Sequence, residues 1–299
     1  MSKRVNASGN ISVIVLSKNN ADTLEPCLKS VVNALPYDKE VIVVDAKSTD
    51  NTSKILEKLK DKIRVVYDDS KGRASARELG VKTAKWDIVA FVDSDVICSK
   101  EHFLRYIDYF NKHPEVTGID SYGTHPILGT GWQKDEALFL RVAEKNSEQR
   151  PTLAGWCMAF RKNALLAIGG FYTRVDGSEE GYVSYMLRIK GFKIVSNAVQ
   201  TSSVHVPRRD VGSFIREMMS WGKNGSCFFN DFYSLPLLSE DMNKHKIFRL
   251  IRNVKVFTIV TYAMAPVSGL KYIAKTRKIK VYLHYLIRQY SWLAGYAIG

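Results

Sequence analysis

Two carboxylates, Asp93 and Asp95, come directly after the apolar run Ile88–Val92. This run is apolar and rich in β-branched residues, as is typical of a buried strand. Residues two apart in an extended chain point to the same side, so the two carboxylates would repel each other unless a positive charge lay between them. A divalent cation, with a diphosphate completing its oxygen ligands, would satisfy both. The pair therefore predicts an enzyme that handles nucleotides.

Short apolar runs alternate with segments of helical spacing along the first 115 residues. The runs predict strands, and apolar residues three and four apart predict the helices between them. This alternation is typical of a parallel sheet built from βαβ units. The predicted strands are 11–16, 41–44, 63–67 and 88–92, and the predicted helices are 22–35, one through 55–59, 75–84 and 99–112.

Polar side chains follow three of these strands. Ser17 and Asn19 come after the first strand, Asp45 after the second, and Asp93 and Asp95 after the fourth. Ligands of parallel sheets bind beyond the carboxyl ends of the strands. The sequence therefore predicts one binding site at this edge of the sheet.

Two local patterns predict further structure. Asp22, with Glu25 three residues later, resembles a capping box at the start of the first helix. The segment 116–134 is rich in Gly, Thr and aromatic residues, and we expect it to be irregular. The spacing of apolar residues over 137–142 then favours a helix.

The net charge of +14 is concentrated in the last fifth of the chain. Residues 242–299 hold 11 Lys and Arg and no Asp or Glu, whereas the first 241 residues hold 33 basic and 30 acidic residues. A basic excess suggests an anionic partner, such as nucleic acid, a membrane surface or a phosphorylated substrate. A balanced domain followed by a basic segment is therefore expected.

The basic segment also contains two apolar stretches. Residues 256–270 are uncharged but shorter than the roughly twenty residues of a membrane span, and Pro266 and Gly269 interrupt them. Residues 281–298 mix apolar and aromatic side chains with few charges. This pattern favours helices that lie in an anionic membrane interface, although a helical cap on the catalytic domain would look similar. We do not expect nucleic-acid binding, because the interleaved residues are too apolar.

The four cysteines, Cys27, Cys98, Cys157 and Cys227, are scattered without a CxxC pair. This spacing favours buried free thiols in a reducing compartment over a disulfide framework or a metal cluster. The first ten residues lack the apolar core of a secretory leader. We therefore expect a cytoplasmic protein that is peripheral on the cytoplasmic face of the membrane.

Six motifs in order resemble the family-2 glycosyltransferases with the GT-A fold, over roughly residues 11–225. Besides the Asp93-Ser94-Asp95 triplet, which falls where the family places its DxD, the matching segments are Ile11–Asn20, Glu40–Asp50, Lys71–Gly80, Gly155–Arg161 with Gly169–Phe171, and Glu179–Glu180 ahead of Gly191. Each motif alone is weak, but their order is specific.

The resemblance implies a fold and a reaction. The fold would be α/β, with a Rossmann-like, mixed but mainly parallel sheet and a C-terminal helical basic segment. Residues 1–240 would form the catalytic domain, with a donor half over about 1–115 and an acceptor half over 116–240, and 241–299 would associate with a membrane. The enzyme would be an inverting transferase that uses a UDP- or GDP-linked sugar. Its acceptor, a hydroxyl or a phosphate, would be lipid-linked; the oligomeric state is unknown.

The resemblance also implies a metal site. Asp95 would bind Mn²⁺ or Mg²⁺ between the two donor phosphates, and Asp93 would reach both the ribose and the metal. His205 falls where some GT-A enzymes have a third metal ligand, and a buried structural histidine is the alternative. A solvated turn is the alternative for the carboxylate pair.

Other positions of the motifs would contact the donor. Asp45 would accept a hydrogen bond from the nucleobase or ribose, with helix capping as the alternative. Lys71 could equally lie in a solvated loop, and Trp156 could stack under a sugar or pack in the core. The full set that we place around the donor is Ser17, Asn19, Asp45, Lys71, Arg73, Arg77, Asp93, Ser94, Trp156 and Arg208.

An inverting transfer to a hydroxyl needs a base, and the resemblance places Glu180 in that role. Glu179 could instead be the base or hold the acceptor. Two acids at a helix N-terminus could also serve only to complement the helix dipole. The family usually has Glu-Asp here, and Ala46 replaces a common second aspartate near the nucleoside.

Three other functions fit parts of the sequence. Asp93-Ser94-Asp95-Val96 partly matches the nucleophile loop of haloacid-dehalogenase phosphatases, but that loop usually follows the first strand of its domain. A nucleotidyltransferase could share the nucleotide-binding topology. A non-catalytic membrane adaptor with a relic GT-A domain is a third possibility, against which the joint presence of Glu180 and both aspartates counts.

Overall fold

The structure is a computed structural model that describes residues 9–36, 38, 40–69, 71–122, 131–145, 150, 152–173, 179–206, 210–232 and 254–298. The chain divides into two compact units. The first comprises Met1–Thr124 and Glu148–Val206, and the second comprises His125–Ser147 and Pro207–Gly299. These are units of packing; the division into donor, acceptor and membrane-associating segments is a functional one and stays a prediction.

The first unit is built on a seven-stranded sheet with the strand order β3-β2-β1-β4-β7-β6-β8. Strands β1 to β4 are parallel to one another, β7 is antiparallel to both β4 and β6, and β6 is parallel to β8. Two short strands, β5 and β9, form a separate antiparallel pair. The strands are β1 Ser12–Ser17, β2 Glu40–Asp45, β3 Arg64–Tyr67, β4 Ile88–Asp93, β5 Val96–Ile97, β6 Val116–Tyr122, β7 Cys157–Arg161, β8 Lys193–Gln200 and β9 Val204–His205.

Helices cover both faces of this sheet. Alternate residues of β1 enter opposite cores, with Val13 and Val15 on one face and Ile14 on the other, as the two-residue period of a strand requires. The first core is completed by α1, α2 and α4, and the second by α3, α6 and α7. These helices are α1 Ala21–Ala34, α2 Thr52–Lys58, α3 Arg73–Thr83, α4 His102–Lys112, α6 Lys162–Ala167 and α7 Glu179–Ile189.

The prediction of an irregular segment over 116–134 was wrong at both ends, since 132–134 begin a helix and 116–122 form β6. This strand is buried although it carries Thr117, Asp120 and Ser121. Its polar groups find partners; the Asp120 carboxylate, for example, accepts from Arg150 at 2.7 Å and from the backbone N–H groups of Ala154 and Asn197. Local composition therefore hid a buried strand whose hydrogen bonds come from distant segments. The predicted helix over 137–142 lies within a longer helix, α5 (Trp132–Lys145).

The predicted capping box was also wrong. Helix α1 begins at Ala21 with Asn20 at its N-cap, so Asp22 lies within the first turn, and Glu25 pairs with Lys29 and Lys58. The N–H of Ala21 instead donates to the Asp50 carboxylate at 3.1 Å. Asp50 also accepts from the N–H of Thr52 at the start of α2, at 3.0 Å. One aspartate thus stabilises the first turns of two helices.

The second unit is helical in its described part. Besides α5, it contains α8 Val211–Phe232, α9 Val254–Thr276 and α10 Ile279–Ile298. Pro266 lies inside α9 without ending it. The turn between α9 and α10 contains Arg277, whose φ is +55°. Helices α8 and α10 approach so closely that a Cβ on Gly222 would overlap the carbonyl of Trp292, and one on Gly295 would overlap that of Met219.

The second unit also buries polar groups among aromatic rings. The Arg288 guanidinium lies 5.5 Å from the ring of Phe139, 5.8 Å from that of Phe214 and 5.6 Å from that of Trp221. His284 is only 1% exposed. Burial, and secondarily the charge of Arg288, lower its pKa to about 3, so the imidazole is neutral near pH 7. Among the described helices, none combines the length and the apolar character that a bilayer crossing requires.

Candidate active site

The carboxyl ends of β1, β2 and β4 bring polar residues side by side. The register pairs Ser17 with Asp45, and Leu16 with Asp93. Asp45 is 3% exposed and accepts from both the N–H and the hydroxyl of Ser48, at 3.0 and 2.6 Å. The parallel half of the sheet therefore places these predicted residues at one edge, as expected from the alternation of strands and helices.

Asp93, Asp95 and His205 form a cluster that could hold a cation. One ligand atom from each of these side chains lies within 4.8 Å of the other two. The β5–β9 pair creates this arrangement, because Val96 pairs with His205 and the N–H of Val206 donates to the Asp95 carbonyl at 2.8 Å. Two carboxylates and an imidazole fit a divalent cation.

The electrostatics of the cluster also suit a cation. Desolvation by the surrounding protein raises the pKa of Asp93 to about 6, and the neighbouring Asp95 adds to the rise, whereas Arg77 and His205 oppose it. The ionised form is thus costly in the metal-free protein. A bound cation would favour that form and remove the cost.

Arg77 on α3 lies beside this cluster. Its side chain is 4% exposed and its Nη2 lies 3.4 Å from Oδ1 of Asp93. The same nitrogen donates to the Gly155 carbonyl at 3.3 Å. Its Nη1 forms an ion pair with Oε1 of Glu179, which is 2% exposed. Arg77 therefore contacts the end of β4, the segment before β7 and the start of α7.

Glu180 faces the same segment from the first turn of α7. It is partly buried, and its Oε2 lies 3.6 Å from the position that a Cβ on Gly155 would take. Ser184, one turn later, donates to the Glu180 carbonyl at 2.6 Å and accepts from the N–H of Leu153 at 3.0 Å. The 153–155 segment and the start of α7 are thereby tied together.

The other predicted donor residues lie around this edge in different settings. Ser17 is buried, and within the described residues its hydroxyl has no hydrogen-bond partner. Asn19, at a φ of +53°, accepts from the N–H of Thr49 at 2.8 Å and so holds the segment after β2. Ser94 is buried and accepts from the Asn20 amide at 2.6 Å.

Three predicted residues remain. The charge of Arg73 acts on Asp93, whereas Lys71 is exposed and donates through its backbone to Asp68 at 3.3 Å. The Trp156 ring packs against the core, and its centroid lies 6.1 Å from that of His205. Arg208 lies outside the described residues.

Asp68, which directly follows β3, was not among the residues predicted from the sequence. Asp68 is 5% exposed and accepts from the N–H of Lys71 and, at 3.2 Å, from the Ser75 hydroxyl. Its N–H donates to the Asp45 carbonyl at 3.0 Å. The rule that singled out Asp45, a polar residue at the carboxyl end of a strand, also applies to Asp68 and could have found it.

Comparisons with known proteins fit this geometry. The family model described as "Glycosyl transferase family 2" matches residues 12–169. Among curated proteins, poly-beta-1,6-N-acetyl-D-glucosamine synthase of Staphylococcus aureus strain MSSA476 is 26% identical over 236 residues, and its Staphylococcus epidermidis counterpart is 23% identical over 235. Each alignment covers 75% of this chain and 57% of the relative. The chain thus spans little more than half the length of these relatives.

Solved structures share the fold. The mannosyltransferase PcManGT from Pyrobaculum calidifontis, in complex with GDP-Man and Mn²⁺, has a TM-score of 0.64 at 20% identity, covering 96% of this chain and 86% of that one. S. aureus TarS 1-349 in complex with UDP-GlcNAc has a TM-score of 0.53 at 18% identity, covering 95% and 90%. The expected GT-A fold, with a mixed, mainly parallel sheet and C-terminal helices, is confirmed.

The family model spans more than half of the chain, and its match runs from β1 past the Asp93-Ser94-Asp95 triplet to residue 169. This chain therefore belongs to glycosyltransferase family 2.

Proposed function

We propose that the protein is a metal-dependent, inverting glycosyltransferase that moves a sugar from a UDP- or GDP-linked donor to a lipid-linked acceptor. The observation that carries the proposal is the cluster of Asp93, Asp95 and His205, which Arg77 links to the start of α7, where Glu180 lies. Support for the donor class comes from the structural neighbours, whose complexes hold GDP-Man and UDP-GlcNAc.

Asp93, Asp95 and His205 would hold the metal. When bound, a divalent cation supplies positive charge that stabilises the departing nucleoside diphosphate. Carboxylates suit both Mg²⁺ and Mn²⁺, whereas an imidazole ligand favours a transition metal. We therefore propose Mn²⁺ as the better fit, in keeping with the Mn²⁺ in the PcManGT complex.

Donor binding would use the edge formed by β1, β2 and β4. Asp45 would face the nucleobase or ribose, Asp93 would reach the ribose, and Arg73 would add positive charge near the phosphates. Asp68 lies beside this set, since its backbone N–H donates to the backbone carbonyl of Asp45. Trp156, beside His205, would lie under the sugar.

Glu180 would be the base in transfer to a hydroxyl. Its carboxylate would take the proton of the acceptor hydroxyl as that oxygen bonds to the anomeric carbon. The bond from the anomeric carbon to the phosphate oxygen breaks, and the nucleoside diphosphate leaves with the electron pair. Attack from the side opposite the leaving group inverts the anomeric centre. Glu179, in its buried ion pair with Arg77, would be a counter-ion in this scheme.

The lipid-linked acceptor is proposed from an exposed apolar surface on α9 and α10, which we call the hairpin surface. It consists of Met264, Val267, Leu270, Ile279 and Leu283, which are between 49% and 60% exposed. Exposed apolar side chains beside cations favour an anionic membrane interface. The exposed cations near the turn are Lys271, Lys275, Arg277, Lys278 and Lys280. We propose the cytoplasmic face of the membrane, where the buried free thiols Cys27, Cys98 and Cys157 would stay reduced.

The experiment is a thermal-shift panel of UDP, GDP and their sugars, each with and without Mn²⁺, followed by product analysis. A ligand that binds the folded state raises its melting temperature, and the proposal expects a metal-dependent shift for one nucleotide. Release of a nucleoside diphosphate from the matching sugar would support the transferase. Release of pyrophosphate would indicate a nucleotidyltransferase, and a phosphorylated Asp93 would indicate a phosphatase.

A further inference from the structure

Arg77 joins three segments that are far apart in the sequence. Its guanidinium contacts Asp93 at the end of β4, the Gly155 carbonyl before β7, and Glu179 at the start of α7. The face of the guanidinium also lies 5.7 Å from the centre of the Phe91 ring. The Arg77 guanidinium is planar and rigid, and these groups contact its edges and one of its faces.

The burial of Arg77 argues against a direct contact with the donor phosphates. The side chain is 4% exposed, compared with 39% for Asp93. Its nitrogens already face two carboxylates and a carbonyl. A cation that bound a soluble diphosphate would have to present a free edge, and this guanidinium is enclosed instead.

Arg77 is connected to Glu180 through its ion pair with Glu179. The two glutamates are consecutive in the first turn of α7, so an ion pair that fixes Glu179 also fixes the backbone of Glu180. Arg77 donates to the Gly155 carbonyl, and Glu180 lies close to the same glycine. A Cβ on Gly155 would lie 3.5 Å from Cδ of Glu180. The Arg77 side chain thus provides a direct connection from Asp93 to the start of α7.

We propose that Arg77 is a positioning residue that sets the distance between the metal-binding carboxylates and the Glu180 base. This inference rests on the proposed function. Arg77 neither touches the reacting atoms nor binds the nucleotide; it acts on the reaction through Glu179 and Gly155. A lysine at position 77 keeps the charge but cannot contact three segments at once, because it presents one ammonium instead of a planar fork.

The first test compares R77K with R161K. Arg161 is a matched control: it is 9% exposed, lies in the same unit, donates to the Val116 and Phe110 carbonyls and stacks on Phe110. Activity is measured as Mn²⁺-dependent release of nucleoside diphosphate from UDP-GlcNAc or GDP-Man, with water or a hydroxyl acceptor. We expect R77K to lower kcat by about 100-fold, the effect of a misplacement of roughly 1 Å. Nucleotide affinity with Mn²⁺ should change by less than about threefold, since the donor contacts stay.

R161K controls for loss of stability. It should lower the melting temperature by a similar amount to R77K while leaving kcat within about threefold of the wild type. A second comparison places R77K in an E180Q background. If Arg77 acts through Glu180, R77K should then add less than about a threefold loss, because mutations that act on one function are not additive.

Two results would overturn the inference. One is a rise in the nucleotide Kd of R77K with kcat unchanged, which would make Arg77 a donor ligand. The other is a full, multiplicative loss from R77K in the E180Q background, which would show that it acts independently of the base. A wild-type protein that turns over no nucleotide sugar would instead overturn the proposed function itself, so the two failures are distinguishable.

Discussion

The Nε2 of His205 lies 3.3 Å from Oδ1 of Asp95, although about 110 residues separate them in the sequence. Strands β5 and β9 are only two residues long each, yet their pairing sets this distance. Two carboxylates alone would suit Mg²⁺ and Mn²⁺ equally, whereas an added imidazole favours a transition metal. The two-stranded sheet thus completes the candidate cation cluster.

Asp95→Ala should abolish metal-dependent turnover and keep the fold. Loss of a principal ligand removes several kcal/mol of charge stabilisation, which corresponds to roughly a 10³-fold fall in kcat. Circular dichroism and donor turnover with Mn²⁺ are the measurements. Asp69→Ala is the control, since Asp69 is exposed and pairs with Lys47 at 3.0 Å. Full metal-dependent turnover by the Asp95 variant would rule out the proposed site.

His205→Ala should weaken Mn²⁺ binding by about 10- to 100-fold and reduce the preference for Mn²⁺ over Mg²⁺, because the imidazole is the ligand that discriminates between them. In the wild type, Mn²⁺ affinity should fall as the pH drops from 7 to 5. Asp93, with its pKa raised to about 6, becomes protonated over that range, and the proton competes with the metal for the carboxylate. Calorimetric titrations of Mn²⁺ and Mg²⁺ into both proteins at three pH values test these predictions. Equal ratios of Mn²⁺ to Mg²⁺ affinity in the wild type and the His205 variant would contradict the predicted loss of metal preference.

Glu180→Gln should separate two kinds of acceptor. A hydroxyl must lose a proton on attack, so transfer to it should fall by about 10²- to 10⁴-fold without the base. A phosphate acceptor, such as a polyprenyl phosphate, already carries an ionised oxygen, and transfer to it should change little. Rates of product formation with both acceptor types decide the matter. Unchanged transfer to a hydroxyl would remove Glu180 from the base role.

His284→Phe should change how stability depends on pH. The buried imidazole of His284 has its pKa lowered from 6.5 to about 3. The unfolded chain therefore binds the proton first as the pH falls, and the stabilising contribution present above pH 6.5 is lost towards pH 3, by up to roughly 5 kcal/mol. The phenylalanine variant should lack this loss.

Urea unfolding of the metal-free protein at pH 7.5, 5.5 and 4.5 measures this effect. Asp93 and Asp120, whose pKa values are both raised to about 6, act in the opposite direction, since they bind protons more readily in the folded state. The difference between wild type and His284→Phe isolates the histidine. His113→Phe, at a partly exposed ring beside Glu115, is the control; identical pH slopes for wild type and His284→Phe would contradict the assignment.

Serine at Met264, Val267 and Leu270 together should reduce membrane binding. These side chains make up the α9 part of the hairpin surface, and apolar burial and attraction to anionic lipid both contribute to interfacial binding. Sedimentation with vesicles of phosphatidylcholine and phosphatidylserine should show roughly a tenfold weaker association, and added salt should weaken the wild type as well. Leu166→Ser, which changes a 55%-exposed leucine of α6, should have no effect. Equal vesicle binding by the wild type, the triple serine variant and Leu166→Ser would argue that α9 and α10 form a helical cap instead of a membrane-binding surface.

The sequence predicted the parallel strands β1 to β4 well because their signals are local. The β-branched run before Asp93 and the apolar spacing of α1 are set by neighbours in the chain. The position of Asp45 beside Ser17 then follows from the parallel sheet alone. None of these inferences needed a contact between distant segments.

The features that sequence reasoning missed are long-range. Strand β6 contains Asp120 and Ser121, which read as a loop until Arg150 and the backbone of Asn197 supply their partners. The ion pair of Arg77 with Glu179 joins residues from different motifs. Both residues lie in the motifs, but neither motif alone predicts that the two side chains form an ion pair.

The dependence of the cation cluster on β9 also bears on the order of events during synthesis. The four parallel strands are complete once residue 93 has emerged, and N-terminal regions commonly fold first on the ribosome. The imidazole of His205 arrives about 110 residues later, several seconds at typical rates of translation. A nascent chain would meanwhile expose the two carboxylates of the proposed metal site without its imidazole, so selective metal loading at that proposed site would have to await the closing of the β5–β9 pair.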